Sequence, residues 1–110
     1  MTTGFAIDYI PKRMCELGYG DCYIVRYRHL VLQPRETRKI DAAGQLLLLV
    51  DPCGDIRVES IAGMYDQSED QVNEFSYEHR GETVVTNQSI FISHVRFIQV
   101  IPQICKNTCQ

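Results

Sequence analysis

The residues of this 110-residue sequence that could most readily bind a metal or transfer a proton are its three histidines, His29, His79 and His94. Each lies on a different predicted strand, so a metal site would need the fold to bring two or three of them together. The close His-x-His spacing common in such sites is missing. His94 lies between apolar residues, a pattern typical of a packed or interface histidine, so metal binding is an alternative hypothesis here.

The cysteines are the candidate nucleophiles. Their number is odd, so a complete set of disulfides within one chain is impossible. They are Cys15, Cys22, Cys53, Cys105 and Cys109. Cys15 and Cys22 could pair only under oxidising conditions, and no glycine-flanked nucleophile motif surrounds any of the five. We expect small buried or terminal thiols, no catalytic residue and no enzymatic activity.

An acidic stretch resembles the start of a calcium-binding loop, with Asp66, Ser68 and Asp70 at alternate positions. The glycine expected at the sixth position is Gln71, and the bidentate glutamate expected at the twelfth is Tyr77. The pattern therefore favours a solvated surface loop over residues 60–73. No metal and no cofactor are predicted.

The elements that would position these residues are strands. Alternating apolar residues, punctuated by Pro, Gly and Asn, predict strands over 5–10, 22–32, 38–42, 46–50, 56–60, 74–79, 82–86 and 89–101. A strand about every ten residues, without helical crossovers, is typical of antiparallel sandwiches and barrels. The prediction is one all-β domain over residues 1–110, an antiparallel β-sandwich of seven to eight strands with immunoglobulin-like or jelly-roll topology.

Two of these strands are apolar on both faces. Residues 46–50 are apolar at every position and lead through the turn at residues 51–54 into a predicted hairpin, and residues 89–101 are mostly apolar on both sides. A sandwich buries one face per strand, so either these strands bend between the sheets or another subunit covers them. The candidate interface residues are Leu46, Leu48, Ile90, Ile92, Phe97, Ile98 and Val100.

Charge and hydropathy narrow the possible partners. The net charge is −3, and the densest basic set, between Arg26 and Lys39, is too small to predict nucleic-acid binding. The longest apolar run is too short to cross a bilayer, and no leader pattern precedes the first strand. We expect a protein made in the cytoplasm, without a membrane partner.

One family resemblance rests on four segments: EFSYEHRG (74–81), TNQS (86–89), HVRFIQVIP (94–102) and LVLQPRET (30–37). Together they resemble the small β-sandwich accessory proteins of tailed-phage virions, which decorate the capsid or carry head and tail fibres. The resemblance implies a structural role as a symmetric oligomer in a virion assembled in the host cytoplasm. It carries over no catalytic residue.

Three hypotheses follow from the sequence. The main one is a non-enzymatic assembly subunit that associates with itself, with a larger protein shell, or with both. The alternative is a small cupin-like β-barrel that binds a metal or small molecule through His29, His79 or His94. The third is a protein that binds a partner peptide along a sheet edge.

Overall fold

A computed structural model describes residues 2–66 and 77–103. These residues form one helix, α1 (Thr3–Glu16), and six strands. The strands are β1 (Tyr23–Leu32), β2 (Thr37–Val50), β3 (Ile56–Ser60), β4 (Gly63–Asp66), β5 (Glu78–Asn87) and β6 (Ser93–Pro102). All neighbouring strands are antiparallel, in the order β1-β6-β2-β5-β3-β4. The predominantly antiparallel β class is confirmed, whereas a sandwich of seven to eight strands is not.

The prediction of a strand over residues 5–10 is wrong, because these residues lie in α1. The buried side chains of the helix are Ala6, Ile10 and Met14, which recur every four residues and so form one stripe along a helical face. The alternation of Phe5 with its neighbours was accidental: Phe5 is an exposed residue of the helix.

Local signals also support the helix. The Thr2 side chain accepts a hydrogen bond from the Phe5 backbone amide at 3.1 Å, which caps the first turn. At the other end the Leu17 amide donates to the Arg13 carbonyl. Pro11, which directly follows the predicted strand 5–10, lies inside α1. The helix therefore continues past a residue that usually weakens helices.

A bulge in β2 changes which of its residues face each side of the sheet. The pairing of β2 with β5 shifts register between Ala42 and Leu47, and Gly44 within this bulge has a φ of 70°. After the bulge, Leu47 and Leu49 join one hydrophobic cluster, whereas Leu46, Leu48 and Val50 join another. We call the first side of the sheet the inner face and the second the outer face.

The inner face is buried by the sheet itself. Its cluster draws on all six strands: Leu30, Leu32, Ile40, Ala42, Leu47, Leu49, Ile56, Val58, Tyr65, Val85, Val95 and Phe97. The Asn87 side chain, on β5, donates to the Leu32 carbonyl oxygen of β1 at 3.3 Å, although β6 and β2 lie between these strands in the sheet. The sheet therefore curls toward its inner face and brings side chains of distant strands together.

On β2, the outer face is apolar only where α1 covers it. The cluster there contains Ala6, Ile10, Met14, Leu46, Leu48, Val50, Ile98 and Val100. Beyond the helix, the same side of β2 carries the exposed residues Thr37, Lys39 and Asp41. This contrast shows why residues 46–50 are apolar throughout: the curled sheet buries one set of side chains and the helix buries the other.

Three further expectations about connections are wrong. Residues 46–50 and 56–60 do not form a hairpin, since β5 lies between β2 and β3. Within the expected loop 60–73, residues 63–66 form β4. Arg80 and Gly81, which separate the predicted strands 74–79 and 82–86, continue β5, where Gly81 has a φ of 70°. Strand pairing at long sequence separation decides these connections, and local turn residues do not reveal it.

Candidate functional site

The predicted interface residues divide into buried and exposed groups. Leu46, Leu48, Ile98 and Val100 are buried beneath α1, and Phe97 is buried on the inner face. The chain therefore covers these five side chains itself, and their apolar character requires no second subunit. Ile90 and Ile92 lie outside the strands and are exposed.

The exposed pair belongs to a continuous apolar loop between β5 and β6, which we call the 90–92 loop. Ile90, Phe91 and Ile92 are 68%, 71% and 54% exposed. Single exposed apolar residues are common, but three large adjacent ones on a loop are unusual in a domain with a well-buried core. This loop is the most exposed apolar segment along the described part of the chain.

Buried hydrogen bonds fix the shape of the 90–92 loop. Asn87, which is fully buried, donates through Nδ2 to the Phe91 carbonyl oxygen at 2.7 Å. Its Oδ1 accepts from Ser89 Oγ at 2.8 Å and Ser93 Oγ at 3.0 Å. The turn between β1 and β2 also supports the loop, because the Arg35 amide donates to the Ser89 carbonyl. The apolar side chains are therefore presented on a braced backbone.

A second apolar surface lies between the helix and the first strand, and we call it the α1–β1 groove. It is an open groove of about 370 Å³. It is lined by Ile7, Ile10, Pro11, Tyr23, Val25, Tyr27 and Ile98. The helix covers the columns of β2 and β6, whereas the outer side chains of β1 extend past it, and this offset leaves the groove open.

The position of α1, and hence the shape of the groove, is set by an anchor on β5. Glu78 Oε1 accepts hydrogen bonds from Tyr9 Oη and Arg13 Nε, both at 2.8 Å, while Arg13 Nη2 donates to Oε2 at 3.3 Å. Arg13 also pairs with the exposed Glu16 at 3.1 Å. These charge-assisted bonds cross from the helix to the sheet, so they fix the register of one on the other.

These contacts shift the pKa values of Glu78 and Tyr9. Burial by itself would raise the pKa of Glu78, but hydrogen bonds from Arg13 and Tyr9 outweigh it, and the net pKa lies below its ordinary 4.5. Burial and the bond to Glu78 raise the pKa of Tyr9 from 10.0 to about 12. The carboxylate therefore contributes stability above pH 4.5 that is lost as the pH falls through its folded pKa. The contribution of the Tyr9 phenol is complete below pH 10 and is lost as the pH rises towards 12.

The three histidines do not converge. His29 Nε2 and His94 Nδ1 lie 2.9 Å apart in exposed positions on β1 and β6. His79 is fully buried on β5, where Nδ1 lies 2.9 Å from Ser60 Oγ. Within residues 2–66 and 77–103, no group of three His, Cys, Asp or Glu side chains could hold a metal ion. The pair supplies two ligands, whereas zinc sites in proteins use three or four.

The cysteines and the acidic stretch are placed only in part. Cys15 and Cys53 are free and exposed. Cys22 is disulfide-bonded, so the expectation that it is a free thiol is wrong. Cys105 and Cys109 lie outside the described residues, as do Ser68 and Asp70. Asp66 is buried at the end of β4, with Oδ2 3.9 Å from Arg57 Nε, which places it against a cation rather than in a solvated loop.

Sequence reasoning missed Phe91 and the helical side of the groove. The predicted strand 89–101 includes Phe91. However, Asn and Ser two residues apart, as at Asn87 and Ser89, are typical of side chains that hydrogen-bond the backbone of a tight loop. Ile7 and Pro11 were assigned to a strand and its end. The repeat of apolar residues at Ala6, Ile10 and Met14, behind a capping threonine, is the signal that could have found the helix.

Comparison with family models, with curated proteins and with solved structures finds no match for this chain. Of the helices in the described residues, none has the length and apolar character of a membrane span. Two apolar surfaces are exposed on the described part of the chain, the 90–92 loop and the α1–β1 groove.

Proposed function

We propose that this protein is a non-enzymatic assembly subunit that associates with copies of itself through the 90–92 loop. The observation that carries the proposal is the exposure of Ile90, Phe91 and Ile92 on a loop braced by the fully buried Asn87. Burying a large apolar side chain contributes about 1.5–3 kcal/mol, so three together can offset much of the entropy lost on association.

Rigidity strengthens this argument. A mobile loop would lose conformational entropy when it docks, whereas this loop is already held by Asn87, Ser89 and Ser93. Pre-ordered apolar side chains bind at lower cost than flexible ones. An accessory role in a virion, as a capsid decoration or fibre-type protein with β-sandwich architecture, is the more specific form of the proposal and rests on the resemblance of the sequence segments.

The test is the mass of the native particle at micromolar concentrations, measured by sedimentation or native mass spectrometry. We expect a discrete oligomer for the wild type and dissociation for Phe91→Ser, because the serine removes most of the apolar area at the centre of the loop. The matched control is Ile61→Ser, since Ile61 is 91% exposed at the turn between β3 and β4. That variant should keep the wild-type mass.

A monomeric wild type would contradict self-association, and equal masses for wild type and Phe91→Ser would show that another surface forms the contact. Phe91 is 71% exposed, so its replacement should leave the folded chain intact. Circular dichroism of both variants verifies this before the masses are compared.

A further inference from the structure

The first strand of the chain is also an edge of the sheet. β1 pairs with β6 on one side, and no other strand of the described chain pairs along its opposite side. Side chains of Arg38 and Asn87 already donate to the carbonyl oxygens of Val31 and Leu32. The open part of the edge is therefore residues 23–30. An edge of this length offers backbone donors and acceptors that one more strand could bond.

The two sides of this edge differ in chemistry. On the outer side, Val25 and Tyr27 border the α1–β1 groove, whose other wall is the apolar surface of the helix. On the inner side stand Arg26 and Arg28, the latter donating to Gln99 Oε1 at 3.0 Å. Side chains of an added strand would alternate between these two environments, because successive residues of a strand point to opposite faces.

Charge along the edge is one-sided. β1 contains two arginines, a histidine and no acidic residue, although the chain as a whole carries a net charge of −3. Arg26 is exposed and makes no ion pair with any residue that the structure describes. A partner strand with carboxylates on one side and apolar residues on the other would satisfy both environments at once.

We propose that the open edge of β1 binds an extended peptide segment of a partner protein, in which apolar and acidic residues alternate, as an additional strand. The apolar residues enter the α1–β1 groove, and the acidic residues face Arg26 and Arg28. This inference goes beyond the proposed self-association, because it names a different partner and uses a surface separate from the 90–92 loop.

A second copy of the chain fits this edge less well. If β1 paired with itself about Tyr27, each Arg26 would lie opposite the Arg28 of the other copy. Directly opposed like charges destabilise a strand pair. The charge pattern therefore selects an acidic partner segment over a second β1.

The experiment uses fluorescence anisotropy with the full chain and a labelled peptide of alternating valine and glutamate. The probe has about eight residues, which matches the open edge at about 3.3 Å per residue. We expect binding that weakens with salt, and affinity lower by about tenfold or more when lysine replaces each glutamate, because two arginines lose their partners. No binding of the glutamate probe, or equal binding of both probes, would overturn the proposal.

Backbone pairing is tested with two further probes. Methylating alternate amide nitrogens removes the hydrogen-bond donors from one edge of an extended peptide and leaves the other edge intact. If the probe adds to β1 as a strand, one methylation pattern should abolish binding and the complementary pattern should preserve it. Equal effects of the two patterns would mean that the peptide does not pair with the edge, which would overturn the inference.

The matched protein variants are Arg26→Glu and Lys39→Glu, which change the net charge equally. Arg26→Glu should lower the affinity for the glutamate probe about fivefold. The Lys39 side chain is exposed on β2 and pairs with Glu82 of β5 at 3.5 Å, so Lys39→Glu should change the affinity less than about twofold. If both variants lose the same affinity for the probe, the effect comes from net charge alone, which would contradict a binding site at Arg26.

The outcomes also separate this inference from the proposed function. If the probe fails to bind while Phe91→Ser still dissociates the oligomer, the peptide inference fails and the assembly function stands. If the probe binds but the wild type is monomeric, the loop function fails and the edge site stands. A wild-type dimer that the probe dissociates would make a second copy the natural occupant of the edge, and would overturn our choice of partner.

Discussion

The inner and outer faces of the sheet are buried in different ways. The inner face is covered by the curl of the sheet, to which all six strands contribute. The outer face is covered by one helix, whose stripe of Ala6, Ile10 and Met14 lies over part of the sheet. A strand that is apolar on both sides therefore indicates that both sides are covered, and one of the covers can be a separate element of the same chain.

The largest loss of stability is expected on the inner face, where Phe97→Ala removes a ring from the cluster to which all six strands contribute. Phe97 is 1% exposed, and deleting a ring at such a site leaves a cavity that surrounding strands fill only in part. We expect a loss of about 4 kcal/mol in the free energy of unfolding, measured by urea denaturation.

The control is Phe91→Ala, which removes the same ring from the 90–92 loop and should cost less than about 0.5 kcal/mol in the monomer. Similar losses for the two variants would contradict the assignment of Phe97 to the core and Phe91 to the surface.

A smaller effect should follow from Met14→Ala, which weakens the cover of the outer face. Met14 is a fully buried residue of α1 that packs in the outer-face cluster, and its truncation should cost about 3 kcal/mol. Because α1 is a separate element, the variant should also expose apolar surface that binds the dye ANS before the sheet unfolds.

Cys15→Ala, at the adjacent exposed position, provides the comparison and should leave both stability and dye binding unchanged. If Met14→Ala instead shows one cooperative transition with no dye binding, the helix and the sheet form a single unit and the two faces are not independent.

The smallest of the three effects on stability concerns Glu78, the β5 residue that anchors α1 to the sheet. Glu78→Gln removes the charge that Arg13 and Tyr9 hold, and we expect a loss of about 2 kcal/mol at neutral pH. The side chain of Glu16, the other carboxylate on Arg13, is 65% exposed, so Glu16→Gln should cost less than about 0.5 kcal/mol.

The pH dependence sharpens this test. The folded pKa of Glu78 lies below 4.5, so the carboxylate stabilises the fold above that pH and progressively less as the pH falls. The difference in melting temperature between wild type and Glu78→Gln should therefore shrink below pH 4.5. If the difference in melting temperature does not change with pH, the charge of Glu78 does not contribute to the stability of the contact.

Local patterns in the sequence predicted the β class and the need to cover both sides of residues 46–50. They could not predict what covers them, because the buried stripe of α1 was hidden by an accidental alternation around Phe5 and by Pro11. They also missed the curl, since the register shift at Gly44 and the insertion of β5 between β2 and β3 depend on partners distant in sequence.

The candidate sites were predictable to different degrees. Ile90 and Ile92 were named as interface residues, and both are exposed, so their part in self-association stays a prediction. The α1–β1 groove was not foreseen, because it exists only where a helix and an edge strand meet. Neither the sequence of α1 nor that of β1 contains a pattern that predicts this groove.

The pairing of β1 with β6 has a consequence for the life of the nascent chain. Among the described strands β1 pairs only with β6, and four described strands lie between these two in sequence, so this part of the sheet cannot form until β6 has been synthesised. Contacts this distant in sequence slow folding. Until then, the apolar residues of β1 and of residues 46–50 stay exposed to solvent. The newly made chain is thus a candidate client for chaperones that shield exposed strands.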